Sequence, residues 1–315
     1  MTIAWIIGGG GLLGSALCRT LRSRGTEVFS PPERLCWRDG GVLSQQLAAG
    51  VDAFTVQAAN TSRWEIYWAA GVGTMSSSAS VLVPETDALA TLLMHIKSRP
   101  QLIAGRGSFT LASSAGAIYA GVTDEIISEN TRAAPTTPYA LEKIRQEEML
   151  RSALANSGVS ALIARISTLY GPRQSVEKQQ GLITHIARCI LRNQLIQIYV
   201  PLDTIRDYIA ADDAAAAIVA TSRATSGNPG VLTKIIASEQ PATIAEIIAI
   251  FKRLARRTPR IVTSASKLTD IYSRRMQFRS IVTLENKHTS RISLLVGVAE
   301  VMAAERASFV HSRNC

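Results

Sequence analysis

Tyr139 and Lys143 stand four residues apart in the stretch PYALEKIR, a spacing that puts both side chains on one face of a helix. An ammonium group beside a phenol favours the phenolate, so a tyrosine placed this way can exchange a proton with a sugar or alcohol hydroxyl near neutral pH. Ser113 and Ser114 open the stretch SSAGAIYAG at the end of an apolar run, and a hydroxyl reaching from a strand end would orient the same oxygen. Y-x-x-x-K by itself recurs by accident on solvated helices. Here it is joined by the serine pair and by a glycine-rich turn near the N-terminus.

That turn lies in WIIGGGGLLGS at 5–15, where four glycines separate an apolar run from the start of a helix. Gly9 and Gly14 satisfy the two glycines of a nucleoside-triphosphate loop, but Ser15 stands where its lysine must be, so ATPase and GTPase chemistry is excluded. Strand, tight glycine turn and helix instead suit the pyrophosphate of a dinucleotide. The glycines alone allow two registers, Gly8, Gly11 and Gly14 or Gly9, Gly11 and Gly14. About 20 residues further on, where the adenosine ribose is read, FSPPERL has no acidic residue at the strand tip. Glu33 could accept from a ribose 2′-hydroxyl, whereas Ser30 and Arg34 could hold a 2′-phosphate. The cofactor is therefore NAD or NADP, with the missing tip carboxylate favouring NADP.

These groups need a scaffold, and the chain supplies one. TIAWII, TEVFS, RLCWR, EIYWAA, SFTLASS and SALIARIS read as strands. Helical patterns lie between them, among them LLGSALCRTLRSRG ending at Gly25 and PYALEKIRQEEMLRSALANSG ending at Gly158, each glycine suited to a left-handed C-terminal cap. The alternation predicts an α/β fold, a Rossmann-type doubly wound parallel sheet. After Gly171 and Pro172 the rhythm changes to LITHIARCILRNQ, IQIYV and DDAAAAIVATSRA. The expected division is a dinucleotide-binding domain over 1–171 to which 204–224 returns, and a smaller substrate-binding lobe from 172–203 and 225–315. TMSSSAS at 74–80 reads as a mobile loop.

Composition narrows the class. The 315 residues are 47% hydrophobic and 18% charged, and no apolar run reaches the roughly 18 residues of a membrane helix, so no membrane partner is expected. Met1 to Ile7 lack a basic start and run straight into the glycine turn, which predicts a cytoplasmic protein. The net charge of +10 suits an anionic ligand. Its basic groups, RLARRTPR at 253–260 with Lys252 before it and Arg274 and Arg275 after, lack interleaved aromatics and read as solvated helix faces, so no nucleic acid is expected. Cys18, Cys36, Cys189 and Cys315 form no C-x-x-C pair, and His95, His185, His288 and His311 are scattered, so neither a disulfide framework nor a metal site is indicated.

Six stretches together resemble the extended branch of the short-chain dehydrogenase/reductase superfamily, the nucleotide-sugar epimerase, dehydratase and ketoreductase group. They are GGGGLLG at 8–14, WAAG at 68–71, SSAGAIYA at 113–120, PYALEK at 138–143, LYGPRQ at 169–174 and RDYIAADD at 206–213. The resemblance implies the register Gly8, Gly11 and Gly14, with Leu12 and Leu13 beside the cofactor in the same turn. It implies Tyr139 as general base and acid, and Lys143 as the residue that lowers its pKa and holds the nicotinamide ribose. The partner serine resembles Ser114 by its distance from Tyr139, with Ser113 open because an extra small residue precedes Ile118 and Tyr119. Ala69, Ala70 and Gly71 would line the cofactor cleft, and Asp39, at the end of the third strand, would face the adenine. Thr168 and Arg206 would meet the substrate, Arg206 its pyrophosphate. Asp212 and Asp213 fit a helix cap better.

The departures matter as much. Ala115 and Gly116 stand where dehydratases of this group carry an Asp-Glu pair, which disfavours 4,6-dehydration. Asp87 lies near, and Thr168 at, positions where relatives often have asparagine. The resemblance therefore implies an epimerase of a nucleotide-activated sugar working through a transient keto intermediate, with a ketoreductase or dehydrogenase as the alternative. A regulatory dinucleotide binder without turnover is the reading from another class, and the intact Ser114, Tyr139 and Lys143 count against it. Two long helices across a two-fold axis would suit a homodimer.

Overall fold

The computed structural model describes residues 1–172, 174, 181–255, 259–263, 275–283 and 291–314, the side chains of the last four excepted. Arg173, the middle of the basic run (256–258), Arg274, His288, the His311 side chain and Cys315 lie outside this description.

The first strand, β1 (Thr2–Ile7), buries five consecutive side chains, which requires cover on both faces. Ile3, Trp5 and Ile7 enter one core while Ala4 and Ile6 enter another, as a two-residue pleat dictates. Around it stand β2 (Glu27–Val28), β3 (Arg63–Trp68), β4 (Gly107–Ser114), β5 (Ser160–Ile166) and β9 (Gly230–Ile236), all parallel, in the order β2-β1-β3-β4-β5-β9. One face is covered by α2 (Gly40–Ala59), α3 (Ala79–Lys97) and α6 (Pro138–Leu154), the other by α1 (Leu12–Ser23) and α8 (Ala211–Ala224). Short helices α4 (Pro100–Ile103) and α5 (Ala115–Ile118) flank β4. The doubly wound α/β sheet is as expected.

The smaller lobe carries β6 (Thr168–Tyr170), β8 (Ile205–Ala210) and β10 (Pro241–Thr243) in one three-stranded sheet. A two-stranded pair, β7 (Ile196–Ile198) with β11 (Ile261–Thr263), joins it. Helices α7 (Leu182–Leu191), α9 (Ile244–Ala255) and α10 (Leu294–Asn314) close its core around Ile186, Ile247, Phe251 and Val298.

Several expectations change. RLCWR forms no strand. The chain there turns outward, and exposed Trp37 packs edge-on to buried Trp68, with ring centres 6.1 Å apart. Residues 230–236 do not belong to the smaller lobe: Val231, Ile235 and Ile236 supply the apolar surface that continues the main sheet beyond β5. Of the returning segment, α8 packs on α1, but β8 pairs within the small sheet. Helix α6 stops at Leu154, and Gly158 is not a left-handed cap. A Cβ there would lie 2.7 Å from Gly105 Cα, so close approach of two loops requires the glycine. Asp212 and Asp213 sit inside the first turn of α8 behind Ala210, where they favour the positive helix end without capping it; Asp212 pairs with Arg19 and Asp213 accepts from the Ile292 N–H. In the stretch 74–80, hydroxyls of Thr74, Ser76 and Ser77 bond one another, and Ala79 already begins α3. Among the described residues no helix is long and apolar enough to cross a membrane, and no His, Cys, Asp and Glu group has metal-site geometry.

Candidate active site

The ends of β1, β3 and β4 open into a crevice where an open parallel sheet receives its ligands. At the end of β1, Gly8 has φ of +89°, and a Cβ on it would lie 2.5 Å from Ala70 N. A Cβ on Gly14 would lie 2.1 Å from Gly8 O. Gly9, by contrast, would make only ordinary contacts, the nearest at 3.4 Å, which singles out the register Gly8, Gly11 and Gly14. Gly11 is the N-terminal boundary of α1, which has no side-chain cap, so the first-turn N–H groups at Leu12, Leu13 and Gly14 have no partner within the helix. A turn with no side chain in the way, ending on uncapped N–H donors, fits a pyrophosphate.

Ala69 and Ala70 lie beneath that turn, Ala69 N–H bonding Ile7 C=O at 2.9 Å. Gly71 is pressed on a carboxylate: its Cβ would stand 3.1 Å from Glu85 Oε2. At the outer end of the crevice Ser30 and Arg34 are exposed. Glu33 instead accepts from Gln46 Nε2 at 3.1 Å, drawn toward α2. Asp39 is not at a strand end. It caps α2, accepting from the N–H groups of Gly41 and Val42 at 2.9 and 3.0 Å.

Tyr139 and Lys143, the expected proton-transfer pair, both lie on α6. Thr137 caps the helix, its hydroxyl accepting from Ala140 N–H at 3.2 Å, and Pro138 supplies a preset first turn, so Tyr139 projects into the crevice from the second helical position. The Ser114 hydroxyl lies on the Tyr139 side, where it draws the phenol pKa down, and it accepts from Ala117 N–H at 3.3 Å to cap α5. Ser113 points the other way and donates to Glu147 Oε1 at 2.6 Å in a buried cluster with Arg165 and Tyr119. The pleat of β4 thus turns the two serines to different partners.

Lys143 Nζ is 5.7 Å from the centre of the Tyr139 ring. It donates to Glu85 Oε1 at 2.8 Å and to Gln146 Oε1 at 3.0 Å, with Lys143 5% and Glu85 6% exposed. Gln146 Nε2 in turn reaches Glu85 Oε1 at 3.2 Å and Thr86 Oγ1 at 3.0 Å. Burial works against both charges, yet each holds the other: Lys143 stays above the usual lysine pKa and Glu85 below the usual carboxylate range. Burial lifts the Tyr139 phenol above its ordinary value, with Lys143 and Ser114 pulling it down and Glu85 pushing it up.

Glu85, Thr86 and Gln146 escaped the sequence reading, which noted in this helix only Asp87, as a departure from the asparagine of relatives. Asp87 is exposed. The signal was available, since Glu85 occupies a core-facing place in the helical run Leu82, Glu85, Leu89, Leu92, Ile96, where an acid needs a partner. Thr168 and Arg206 lie on the small sheet, in β6 and β8; Thr168 follows directly on the end of β5, and an Arg206 guanidinium nitrogen donates to Ile205 C=O at 2.8 Å.

The model of the family described as NAD dependent epimerase/dehydratase matches residues 4–232. Over 95 residues, 30% of this chain, the sequence is 32% identical to dTDP-L-rhamnose 4-epimerase of Burkholderia thailandensis. The stretches matched span 26% to 41% of the lengths of the curated relatives. Among solved structures, MoeE5 in complex with UDP-glucose and NAD has a TM-score of 0.77 at 20% identity, covering 98% of this chain and 100% of the other. RMD from Pseudomonas aeruginosa complexed with NADPH has a TM-score of 0.75 at 17% identity, with the same coverage. At these identities the structural likeness concerns the fold.

Proposed function

The chain belongs to the NAD dependent epimerase/dehydratase family, and from that premise we propose a cytoplasmic, NAD(P)-dependent enzyme that epimerises a nucleotide-activated sugar. The observation that carries the reading is Tyr139 with Lys143 Nζ 5.7 Å from its ring centre, beside the side-chain-free turn of Gly8, Gly11 and Gly14. The N–H groups of Leu12, Leu13 and Gly14, together with Ala69, Ala70 and Gly71, would hold the dinucleotide. Bound there, a nicotinamide would supply reversible hydride acceptance for a sugar carbon.

Tyr139 takes the proton from the sugar hydroxyl as the C–H hydride leaves, which produces a ketone. The proton goes back from Tyr139 when hydride returns to the opposite face. Ser114 orients the substrate oxygen. Lys143 stabilises negative charge on the phenol oxygen as it forms. Ala115 and Gly116 offer no acid to expel water, which supports epimerisation over dehydration. Arg206 and Thr168 would face the sugar nucleotide. Glu33 is engaged with Gln46, so no carboxylate competes with Ser30 and Arg34 at the ribose end, and this supports NADP over NAD. Exposed Val83, Met94 and Leu141 on the neighbouring helices α3 and α6 support a homodimer; light scattering is expected to show two chains, and Leu141→Arg one.

The alternative is a ketoreductase, in which the same Tyr139 phenol would give its proton to a carbonyl as that carbonyl is reduced. The test is a panel of nucleotide sugars incubated with the purified protein and each nicotinamide cofactor, after thermal melts have shown which cofactor stabilises it. Interconversion of two sugars without net change in nicotinamide absorbance, lost by about 10²–10⁴-fold in Tyr139→Phe, is expected of the epimerase. Stoichiometric NADPH consumption would identify the reductase. Cofactor binding with no turnover sensitive to Tyr139→Phe across the panel would overturn both.

A further inference from the structure

We infer that Glu85 is a positioning residue that balances the charge of Lys143 behind Tyr139 and ties that balance to the loop leaving β3; this rests on the reading of Tyr139 as the proton-transfer group. Lys143 has three N–H donors, and two are engaged, by Glu85 and by Gln146. Among the described residues no third acceptor meets it, so one donor is left for a ligand, and the other two determine its direction. The second oxygen of Glu85 accepts from the Val72 N–H at 3.2 Å, and only a glycine fits comfortably at position 71 above it. One carboxylate therefore joins α3, α6 and the loop that closes on the cofactor crevice.

Replacing a buried ion pair by apolar residues is often neutral for stability, so a carboxylate at this place is poorly explained by folding alone. Its electrostatic effect is specific. Tyr139 faces a neutral Glu85–Lys143 pair where a solitary ammonium would otherwise stand. Among the described residues the groups that shift the Tyr139 phenol are Lys143, Glu85 and the Ser114 hydroxyl; Glu147, one turn beyond Lys143, is matched by Arg165 at 2.6 Å. The phenol is thereby kept as an acid until a bound ligand alters the balance.

The experiment is a spectroscopic titration of tyrosinate in the full chain, with each variant measured against the same variant carrying Tyr139→Phe, so that only Tyr139 is read. Glu85→Gln keeps the shape and an acceptor but removes the charge. About threefold more Tyr139 tyrosinate is expected at a fixed alkaline pH at which Lys143, no longer held by Glu85, still carries its proton. Glu85→Asp keeps the charge and is expected to titrate like the parent. Equal tyrosinate in Glu85→Gln and the parent would overturn the inference. So would equal rises in both variants, because that is the mark of a structural role. If Glu85→Gln does not fold, the double variant Glu85→Gln with Lys143→Met leaves no unpaired buried charge; parental titration is expected, and a lower tyrosinate fraction would overturn the balance. The titration uses no sugar, so its failure refutes the role of Glu85, whereas a failed substrate panel refutes the enzyme reading on which the inference rests.

Discussion

Ser113 and Ser114 are identical in chemistry and adjacent in sequence, and β4 turns them to opposite sides of the sheet. Ser114 caps α5 on the side where it lowers the Tyr139 pKa, while Ser113 completes the buried Glu147–Arg165 cluster. Their alanine variants should therefore fail differently. Ser114→Ala is expected to lower kcat by about 10²-fold, because it removes the hydroxyl proposed to orient the substrate oxygen, and to cost about 0.5–1 kcal/mol of stability through the lost cap at Ala117 N–H. Ser113→Ala should cost about 1–3 kcal/mol of stability, since the buried carboxylate loses a donor, and leave kcat of the folded protein near the parent's. Kinetics and thermal melts on the two purified variants check this. The serine was thus legible in sequence as one of two; the pleat turns the two to different partners.

At the scale of the element, the β1–α1 turn is a packing problem before it is a binding site. Gly8 needs a left-handed conformation against the backbone of Ala69 and Ala70, and Gly14 touches Gly8 O. Gly10 faces open space. Gly14→Ala should destabilise the fold by about 1–3 kcal/mol and abolish stabilisation by dinucleotide, whereas Gly10→Ala should change stability by less than about 0.5 kcal/mol and keep cofactor binding. Melts with and without NAD or NADP distinguish the two. The glycine turn and its helices were legible because close approach admits so few residue types. RLCWR was misread because β-branched and aromatic content describes any half-buried extended segment, and only the packing of Trp37 on Trp68 shows that it bends away from the sheet.

Over the whole molecule, distant segments are held by buried charges whose titration sets the pH range of the fold. Glu129 accepts from the N–H groups of Ile235 and Ile281 and from the Ser280 hydroxyl, joining β9 to the chain beyond residue 275. Burial opposes its charge, but these three donors outweigh it, so Glu129, like Glu85, stays ionised below the ordinary glutamate value of 4.5. A depressed carboxylate stabilises the fold above its unfolded pKa and loses that contribution as pH falls through its folded pKa. Lys143, raised above 10.5, stabilises below that value and loses its contribution as pH rises through the folded pKa. These three groups should accordingly lower the melting temperature outside these limits. Within them His185, whose pKa burial lowers from 6.5, adds a fall on the acidic side, and the thiols of Cys18 and Cys189, raised by burial from 9.0, add a fall on the basic side. Glu129→Gln should lower the plateau by about 1–3 kcal/mol and shallow the acidic limb, as melts across a pH series would show.

From residues alone, the chain determined an α/β sheet, the glycine turn at its first strand end, and a tyrosine and lysine on one helix face. Those properties are local. They follow from side-chain period, from backbone conformations that only glycine tolerates, and from the geometry of a single helix turn. Tertiary structure decided which serine lies on the Tyr139 side, that residues 230–236 extend the main sheet, and that a glutamate 58 positions before Lys143 balances its charge. Each of these depends on contacts between segments far apart in the chain, where burial fixes the partner and nearest-neighbour chemistry carries no trace of it.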